Sequence, residues 1–308
     1  MKAGVVSVSL PIGRGHKKYD MRKKTTVFTS MFLLCTFAFG QNPPKIKPQI
    51  KTEEITYHGI DERPINRVDK QGLDQYKEYN VDGTISKIYI EEFDKTKGKT
   101  SRNLNETYFY EEGKLYKIER IGSITGDKYE EILFSYNEQM QLTKKIENQY
   151  KGNQLDLNQL SAYTDYFYKG NSEIEKRYEY DETKKEFLLA SILIKIFDPN
   201  KNMIQEKTED FDGNISGIVN ITYDNLNKPI ALESSYFKET ISYRYNSHGD
   251  LEEEKNKSEE RPTIETSSYS YVYDNYGNWI EQKQIIKRNP RDEFEGGLLI
   301  KRKIEYYE

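Results

Sequence analysis

Cysteine is almost absent. Cys35 is the only one in 308 residues, and it lies in a segment expected to be removed, so the chain behind it can hold no disulfide, no thiolate metal site and no cysteine nucleophile. An exported protein without disulfides must be held by its core and its strand ladders. Histidine is nearly as scarce. Past residue 40 only His58 and His248 remain, too few and too far apart for a transition-metal site. No Walker, Rossmann or Gly-x-Ser-x-Gly pattern occurs. No long segment carries an apolar stripe of helical period.

The N-terminus reads as export machinery. Met21-Arg22-Lys23-Lys24 is cationic, and Val27 to Phe39 is mainly apolar, the order of a secretory signal peptide. The run is too short for the roughly 20 residues that a spanning helix needs. Ala38 and Gly40 place small residues three before and one before a cut ahead of Gln41, whereas Leu34 before Cys35 is too large for lipoprotein processing. Residues 1–20 therefore read as an upstream start assigned in error, 21–40 as the signal peptide, 41–52 as an extended linker marked by Pro43, Pro44 and Pro48, and 53–308 as one β-hairpin repeat domain. Without residues 1–40 the chain carries 40 basic and 50 acidic side chains, a net charge of −10. That surface repels phosphate backbones, so nucleic acid is not an expected partner.

What the chain has in quantity is tyrosine, 26 residues with 13 phenylalanines, placed in an internal repeat. The best copies are Tyr79-Asn80-Val81-Asp82-Gly83-Thr84-Ile85, Tyr245-Asn246-Ser247-His248-Gly249-Asp250-Leu251 and Tyr273-Asp274-Asn275-Tyr276-Gly277-Asn278-Trp279. Each has Asp or Asn one residue after the aromatic, Gly four after and a large apolar residue six after. Weaker copies pair Tyr136 with Leu142, Tyr168 with Ile174, Phe197 with Met203, and Tyr223 with Ile230 one residue late. Tyr110 to Leu115, with Gly113, is one shorter, and Phe211 to Ile215 is compressed. Asp or Asn at a turn entry accepts hydrogen bonds from the backbone ahead of it, and Gly suits the left-handed residue that closes a type I turn with a bulge. The flanking strands alternate with period two, as in Ile241, Tyr243, Tyr245 and Tyr269, Tyr271, Tyr273. Nine turns with two strands each predict about 18 strands. The expected fold is all-β: an antiparallel meander of hairpins forming a long twisted or coiled sheet. Whether that sheet stays open, rolls up or closes is not set by the spacing, and an open sheet would leave edge strands for partner pairing. Asn153 to Ala162 is the best stretch for a helical or loop excursion, and Glu252 to Pro262 reads as a solvated hairpin end.

The Tyr-Asp-x-x-Gly-x-apolar pattern, best at Tyr273 to Trp279 and Tyr245 to Leu251, resembles the Rhs or YD repeat family from about Tyr76 onward. Tyr108 to Leu115 also resembles the variant MORN repeat. The resemblance implies an antiparallel sheet that coils. In large Rhs proteins that sheet encloses a C-terminal toxin. This chain is too short to enclose a domain, runs in repeat to Glu308, and lacks self-cleavage surroundings at Asp198-Pro199, so only the fold carries over.

Residue chemistry gives no catalytic, cofactor or metal site. His248 reads as a turn residue and His58 as a loop residue. The adjacent acids Glu91-Glu92, Glu111-Glu112 and Glu130-Glu131 point to opposite faces of a strand and read as solvated surface. Asp210-Phe211-Asp212-Gly213-Asn214 gathers hard oxygen ligands but lacks EF-hand spacing, which favours a tight turn over calcium. A row of Tyr with Trp279 could stack on sugars or hold a peptide, but its coupling to the turn favours a structural role. Three functions compete. An exported non-enzymatic scaffold binding an unknown protein or glycan is preferred. A carbohydrate-active hydrolase would need a convergent acid cluster, and a membrane barrel would need apolar bands that Lys and Glu interrupt.

Overall fold

The computed structural model describes residues 48–60, 74–94, 99–122, 125–151, 154–155, 162–260, 264–289 and 293–308. The stretches read from sequence as a start segment and signal peptide, and most of the expected linker, therefore lie outside the described residues. So does most of the Asn153 to Ala162 stretch, of which Gln154–Leu155 is a two-residue strand and Ala162 opens a longer one.

Nineteen strands follow in chain order: β1 Ile50–Gly59, β2 Gln75–Tyr79, β3 Ile85–Asp94, β4 Lys99–Glu111, β5 Lys114–Ile121, β6 Lys128–Tyr136, β7 Leu142–Lys151, β8 Gln154–Leu155, β9 Ala162–Lys169, β10 Ser172–Asp181, β11 Glu186–Phe197, β12 Met203–Glu209, β13 Ile215–Tyr223, β14 Pro229–Ser234, β15 Glu239–Tyr245, β16 Leu251–Ser258, β17 Ile264–Tyr273, β18 Trp279–Asn289 and β19 Glu293–Tyr306. Each pairs antiparallel with its successor, except that β8 attaches only to β7 and β7 continues to β9. Eighteen strands thus form the meander.

The sheet does not remain a long twisted or coiled ribbon. β1 pairs with β19 from Thr52 opposite Glu305 to Gly59 opposite Leu298, and with β2 from Thr52 opposite Glu78 to Ile55 opposite Gln75. The first and last strands are mutual neighbours, and the ring closes. Closure satisfies the backbone groups that two free edges would expose, and it removes edge pairing as a way to bind a partner. The Glu252 to Pro262 stretch is also corrected. Its first seven residues lie in β16, where Glu253 and Glu254 alternate between faces.

Seven turns among the described residues share one pair of backbone hydrogen bonds, beginning at Asn80, Asn137, Asp198, Asp210, Asp224, Asn246 and Asp274. In each, the residue three further on has positive φ: Gly83, Met140, Lys201, Gly213, Asn227, Gly249 and Gly277. The Asx side chain fixes the loop. Asp274 Oδ1 accepts from the amides of Tyr276 and Asn278, both at 2.9 Å, and Asn246 Oδ1 does the same for His248 and Asp250. Across these turns the partners are six residues apart: Tyr79 with Ile85, Tyr136 with Leu142, Phe197 with Met203, Tyr245 with Leu251 and Tyr273 with Trp279. Two spacings differ from the sequence reading. Tyr223 lies opposite Pro229 rather than Ile230. Tyr168 lies opposite Glu173, because its turn is shorter and leaves Phe167 facing Ile174. The Asp210 turn belongs to the opposite rim, between β12 and β13. Glu209 occupies the position the aromatic holds elsewhere, and Phe211 is a tip residue, 67% exposed.

In a closed barrel inward side chains converge and outward ones splay apart, so the more buried face of each strand is the inward one. On β13, β15 and β17 that face carries Val219, Ile221 and Tyr223, then Ile241, Tyr243 and Tyr245, then Ser267, Tyr269, Tyr271 and Tyr273. No large side chain among the described residues is fully buried. Inward residues therefore line a wide ring instead of filling it as in an eight-stranded barrel.

Candidate binding face

The repeat aromatics are spent on the barrel itself. Tyr136 donates its hydroxyl to the Leu115 carbonyl at 2.9 Å, Tyr168 to Leu142 at 3.0 Å, Tyr223 to Met203 at 2.9 Å, Tyr245 to Pro229 at 2.7 Å and Tyr271 to Leu251 at 2.8 Å. Each acceptor stands at the start of the preceding hairpin's return strand, so the hydroxyls lace successive hairpins along one rim. Tyr273 donates instead to Asp250 at 2.7 Å, and Tyr306 bonds Asp274. Near the closure Tyr79 donates to Glu53 at 2.6 Å. Trp279 lies beneath the Arg302 guanidinium, 4.5 Å from its ring centroid, and edge-on to Tyr271. Tyr110 lies opposite Leu115, with Gly113 at positive φ in the turn between them. His248 stacks on Tyr273 at 4.1 Å, and His58 Nε2 contacts the Thr56 hydroxyl at 3.1 Å.

Inward carboxylates are paired across strands. Glu106, Arg120 and Glu130 form a row over β4, β5 and β6, with Arg120 at 2.9 Å from Glu106 and 2.6 Å from Glu130. Glu130 is 8% exposed, so the Glu130-Glu131 pair is not solvated surface on both sides. Glu147 takes a two-pronged contact from Arg177, 3.0 Å on each arm. Burial raises its pKa, but Arg177 and Lys145 outweigh burial and bring it to about 2. Burial acts on Glu53 in the same way and is outweighed by Arg302, Lys77 and the Tyr79 hydroxyl, leaving the carboxyl below its ordinary range. Such groups are poor proton donors near neutral pH.

Two inward acids behave differently: burial raises the pKa of Glu254, with Glu265 and Glu239 adding to the shift, and it raises that of Glu206. Lys195 on β11 contacts Glu173 at 3.2 Å and also bonds Glu175, both on β10. Glu206 on β12 lies directly opposite Lys195 in the ladder. Burial raises the Glu206 pKa, and the attraction of Lys195 does not cancel burial plus the repulsion of Glu175. A raised acid beside an ionised one is the pattern a glycosidase uses. Glu206 Oε2 is buried with no hydrogen-bond partner, and the residue as a whole is buried.

Outward chemistry divides by sector. Beside Ile218 and Ala231, β13 to β16 show Asn220, Thr222, Glu233, Thr240, Ser242, Arg244, Lys255 and Lys257 outward, so these strands build no continuous apolar belt. No helix among the described residues is long and apolar enough to cross a membrane. β9 to β11 are the reverse. Register places Tyr163 and Phe167 on β9, Ile174, Tyr178 and Tyr180 on β10, and Phe187, Leu189, Ile192, Ile194 and Ile196 on β11 together on the outward face. Tyr163 stacks on Tyr178 at 4.6 Å and meets Phe187 edge-on at 5.1 Å, which in turn meets Tyr180 at 5.3 Å. Lys144 sits over Tyr163 and Lys176 over Phe167, itself 48% exposed. The repeat reading names Ile174 as the partner of Tyr168 but misses the others, because they fall on the strand positions between the repeat tyrosines. The usable signal is parity: in Tyr163-Thr164-Asp165-Tyr166-Phe167-Tyr168, Tyr163 and Phe167 are out of phase with Tyr166 and Tyr168.

Fold and faces together define an all-β, closed antiparallel meander with an outward aromatic sector at β9 to β11. No family model matches the chain, and no curated protein matches it. Among solved structures it is similar to a porin-like protein from Bacteroides uniformis, at 12% identity and a TM-score of 0.38, covering 83% of this chain and 98% of that one. It is also similar to a DUF3836 family protein from Bacteroides vulgatus, at 18% identity and a TM-score of 0.24, covering 29% and 91%. A third likeness is to the Photorhabdus luminescens Tc holotoxin pore, at 11% identity and a TM-score of 0.28, covering 73% and 15%. At these scores the likeness does not extend to the arrangement of the whole chain.

Proposed function

We propose that this chain is an exported, non-enzymatic binding scaffold, a closed β-barrel that holds a partner protein against the outward aromatic and aliphatic sector of β9 to β11. The observation that carries the reading is the division of labour among aromatics. Repeat tyrosines donate inward to neighbouring hairpins, while Tyr163, Phe167, Tyr178, Tyr180 and Phe187 face outward beside a row of isoleucines. An aromatic and aliphatic surface of this kind, crossed between β9 and β10 by the Asp165–Lys176 pair, supports an interaction site, and aromatics dominate interface energetics. Export rests on the N-terminal cationic and apolar order. The hydrolase reading is disfavoured by the burial of Glu206 and by the cation pairing of Glu53, Glu130 and Glu147.

The test compares the protein with a Phe167→Ser/Phe187→Ser variant of unchanged melting temperature. A partner captured and then reconstituted from purified components should bind the parent and bind the variant at least roughly tenfold more weakly. Equal binding by both would place the contact elsewhere. Turnover of chromogenic glycosides that Glu206→Gln abolishes would favour the hydrolase.

A further inference from the structure

A second outward sector has the opposite chemistry and does not depend on the aromatic one. On β17 the outward side chains between the ends are small and hydroxylated: Thr266, Ser268 and Ser270. The neighbouring strands raise lysines on both sides. Thr266 lies between Lys255 on β16 and Lys287 on β18, and Ser270 lies opposite Lys283. Lys257 stands two residues beyond Lys255, opposite Ile264. With strands about 4.8 Å apart, the lysines of the two flanking strands stand roughly 10 Å from each other across a low polar floor, interrupted at Ser268, which lies between Glu253 on β16 and Ile285 on β18.

Charge is sorted through the thickness of the sheet. Glu254 and Glu265 point inward from β16 and β17, with Ser267 and Asn256 as their cross-strand neighbours. The outward acids are few. Glu253, opposite Ser268, is already shared by Lys255 at 2.9 Å and Arg244 at 3.6 Å, and Glu281 lies opposite Val272, toward one end. Among the described residues Lys257, Lys283 and Lys287 make no ion pair, and all three are exposed. A cationic trough on a chain of net charge −10 past residue 40 is a local departure that solvation alone does not require.

We propose that this trough binds an extended acidic polysaccharide, its carboxylate or sulfate groups meeting Lys255, Lys287 and Lys283 and its sugar hydroxyls meeting Thr266, Ser268 and Ser270. Hydroxyl side chains both donate and accept, which suits a ligand rich in hydroxyls, and lysines on both walls suit a chain with charge on alternating sides. Single-stranded nucleic acid shares the charge but binds by stacking bases on aromatic rings, and the floor of β17 offers none.

The experiment is calorimetric titration of the full chain with a galacturonate hexasaccharide, a neutral dextran oligosaccharide of equal length and an oligothymidylate. The acidic sugar should bind at low salt and weaken several-fold as salt rises past physiological strength, and dextran should not bind. Lys255→Gln/Lys287→Gln should lose roughly tenfold or more in affinity at unchanged melting temperature, and Lys255→Arg/Lys287→Arg should keep most of it. Thr266→Val/Ser268→Ala should weaken binding while leaving its salt dependence intact. No binding of the acidic sugar, equal binding of dextran, tighter binding of the oligothymidylate, or full affinity in the glutamine variant would each overturn the proposal. None of these outcomes bears on the β9 to β11 sector, so the two readings fail separately.

Discussion

The Tyr136 hydroxyl donates to the Leu115 carbonyl 2.9 Å away, and so ties the end of β6 to the start of β5 at the rim, beyond the last β5–β6 ladder pair, Lys117 with Leu133. The same reach recurs at Tyr223 and Met203 and at Tyr245 and Pro229. One residue type does three jobs: it buries a ring, sets the turn entry and laces adjacent hairpins.

Removing that hydroxyl isolates the lacing. Tyr136→Phe keeps the ring and should cost about 0.5–1.5 kcal/mol, read as a lower urea midpoint with an unchanged slope. Stability equal to the parent would mean that the carbonyl is satisfied as well by water.

Turn positions give a paired prediction of opposite sign. Gly277 has φ of 76° and Met140 a φ of 66° at the equivalent place in their turns. A left-handed residue costs a side chain about 1–2 kcal/mol. Gly277→Val should therefore lower the melting temperature by several degrees, and Met140→Gly should raise it by a smaller amount. Two shifts in the same direction would contradict the shared turn geometry.

Glu206 makes stability depend on pH in an unusual sense. Its folded pKa is raised, so the folded state holds the proton more tightly than the unfolded chain does. Its contribution is fully present below the unfolded value near 4.5 and is lost as pH rises through the folded pKa. Glu206→Gln should stabilise the barrel above that pKa and leave acid stability little changed, as measured by urea unfolding at a series of pH values. A variant less stable at neutral pH would show that the carboxylate is needed ionised beside Lys195.

Glu147 has the opposite sign. Its folded pKa of about 2 lies below the ordinary 4.5, so its stabilisation is present above 4.5 and is lost as pH falls toward about 2. Arg177→Met removes the guanidinium and leaves Glu147 under-compensated. It should cost roughly 1–3 kcal/mol at neutral pH, and the double variant with Glu147→Gln should recover part of that loss.

The hairpin meander is legible in sequence because a turn is local. Asx, positive-φ residue and partner all fall within seven residues, as from Tyr79 to Ile85, and period-two alternation identifies the strands between. Closure is not legible. β1 and β19 pair across some 250 residues, Thr52 with Glu305 among them, and neither strand carries a turn signature toward the other. The Asp210 turn is misphased because Phe211 at its tip imitates the leading aromatic, while the residue in that role is Glu209. The outward sector is hidden for a related reason. Whether Tyr163 or Tyr166 faces out depends on which side of the strand becomes concave, and closure decides that.

Cross-linking between the first and last strands tests closure most directly. Thr56 and Lys301 lie opposite each other in the β1–β19 ladder, and directly opposed residues bring their Cβ atoms to about 4.5–5.5 Å. In a Cys35→Ser background, Thr56→Cys/Lys301→Cys should oxidise to an intramolecular disulfide in the monomer, visible by mass spectrometry as one linked peptide pair. Two thiols that stay free, or that join only between molecules, would contradict the closed ring.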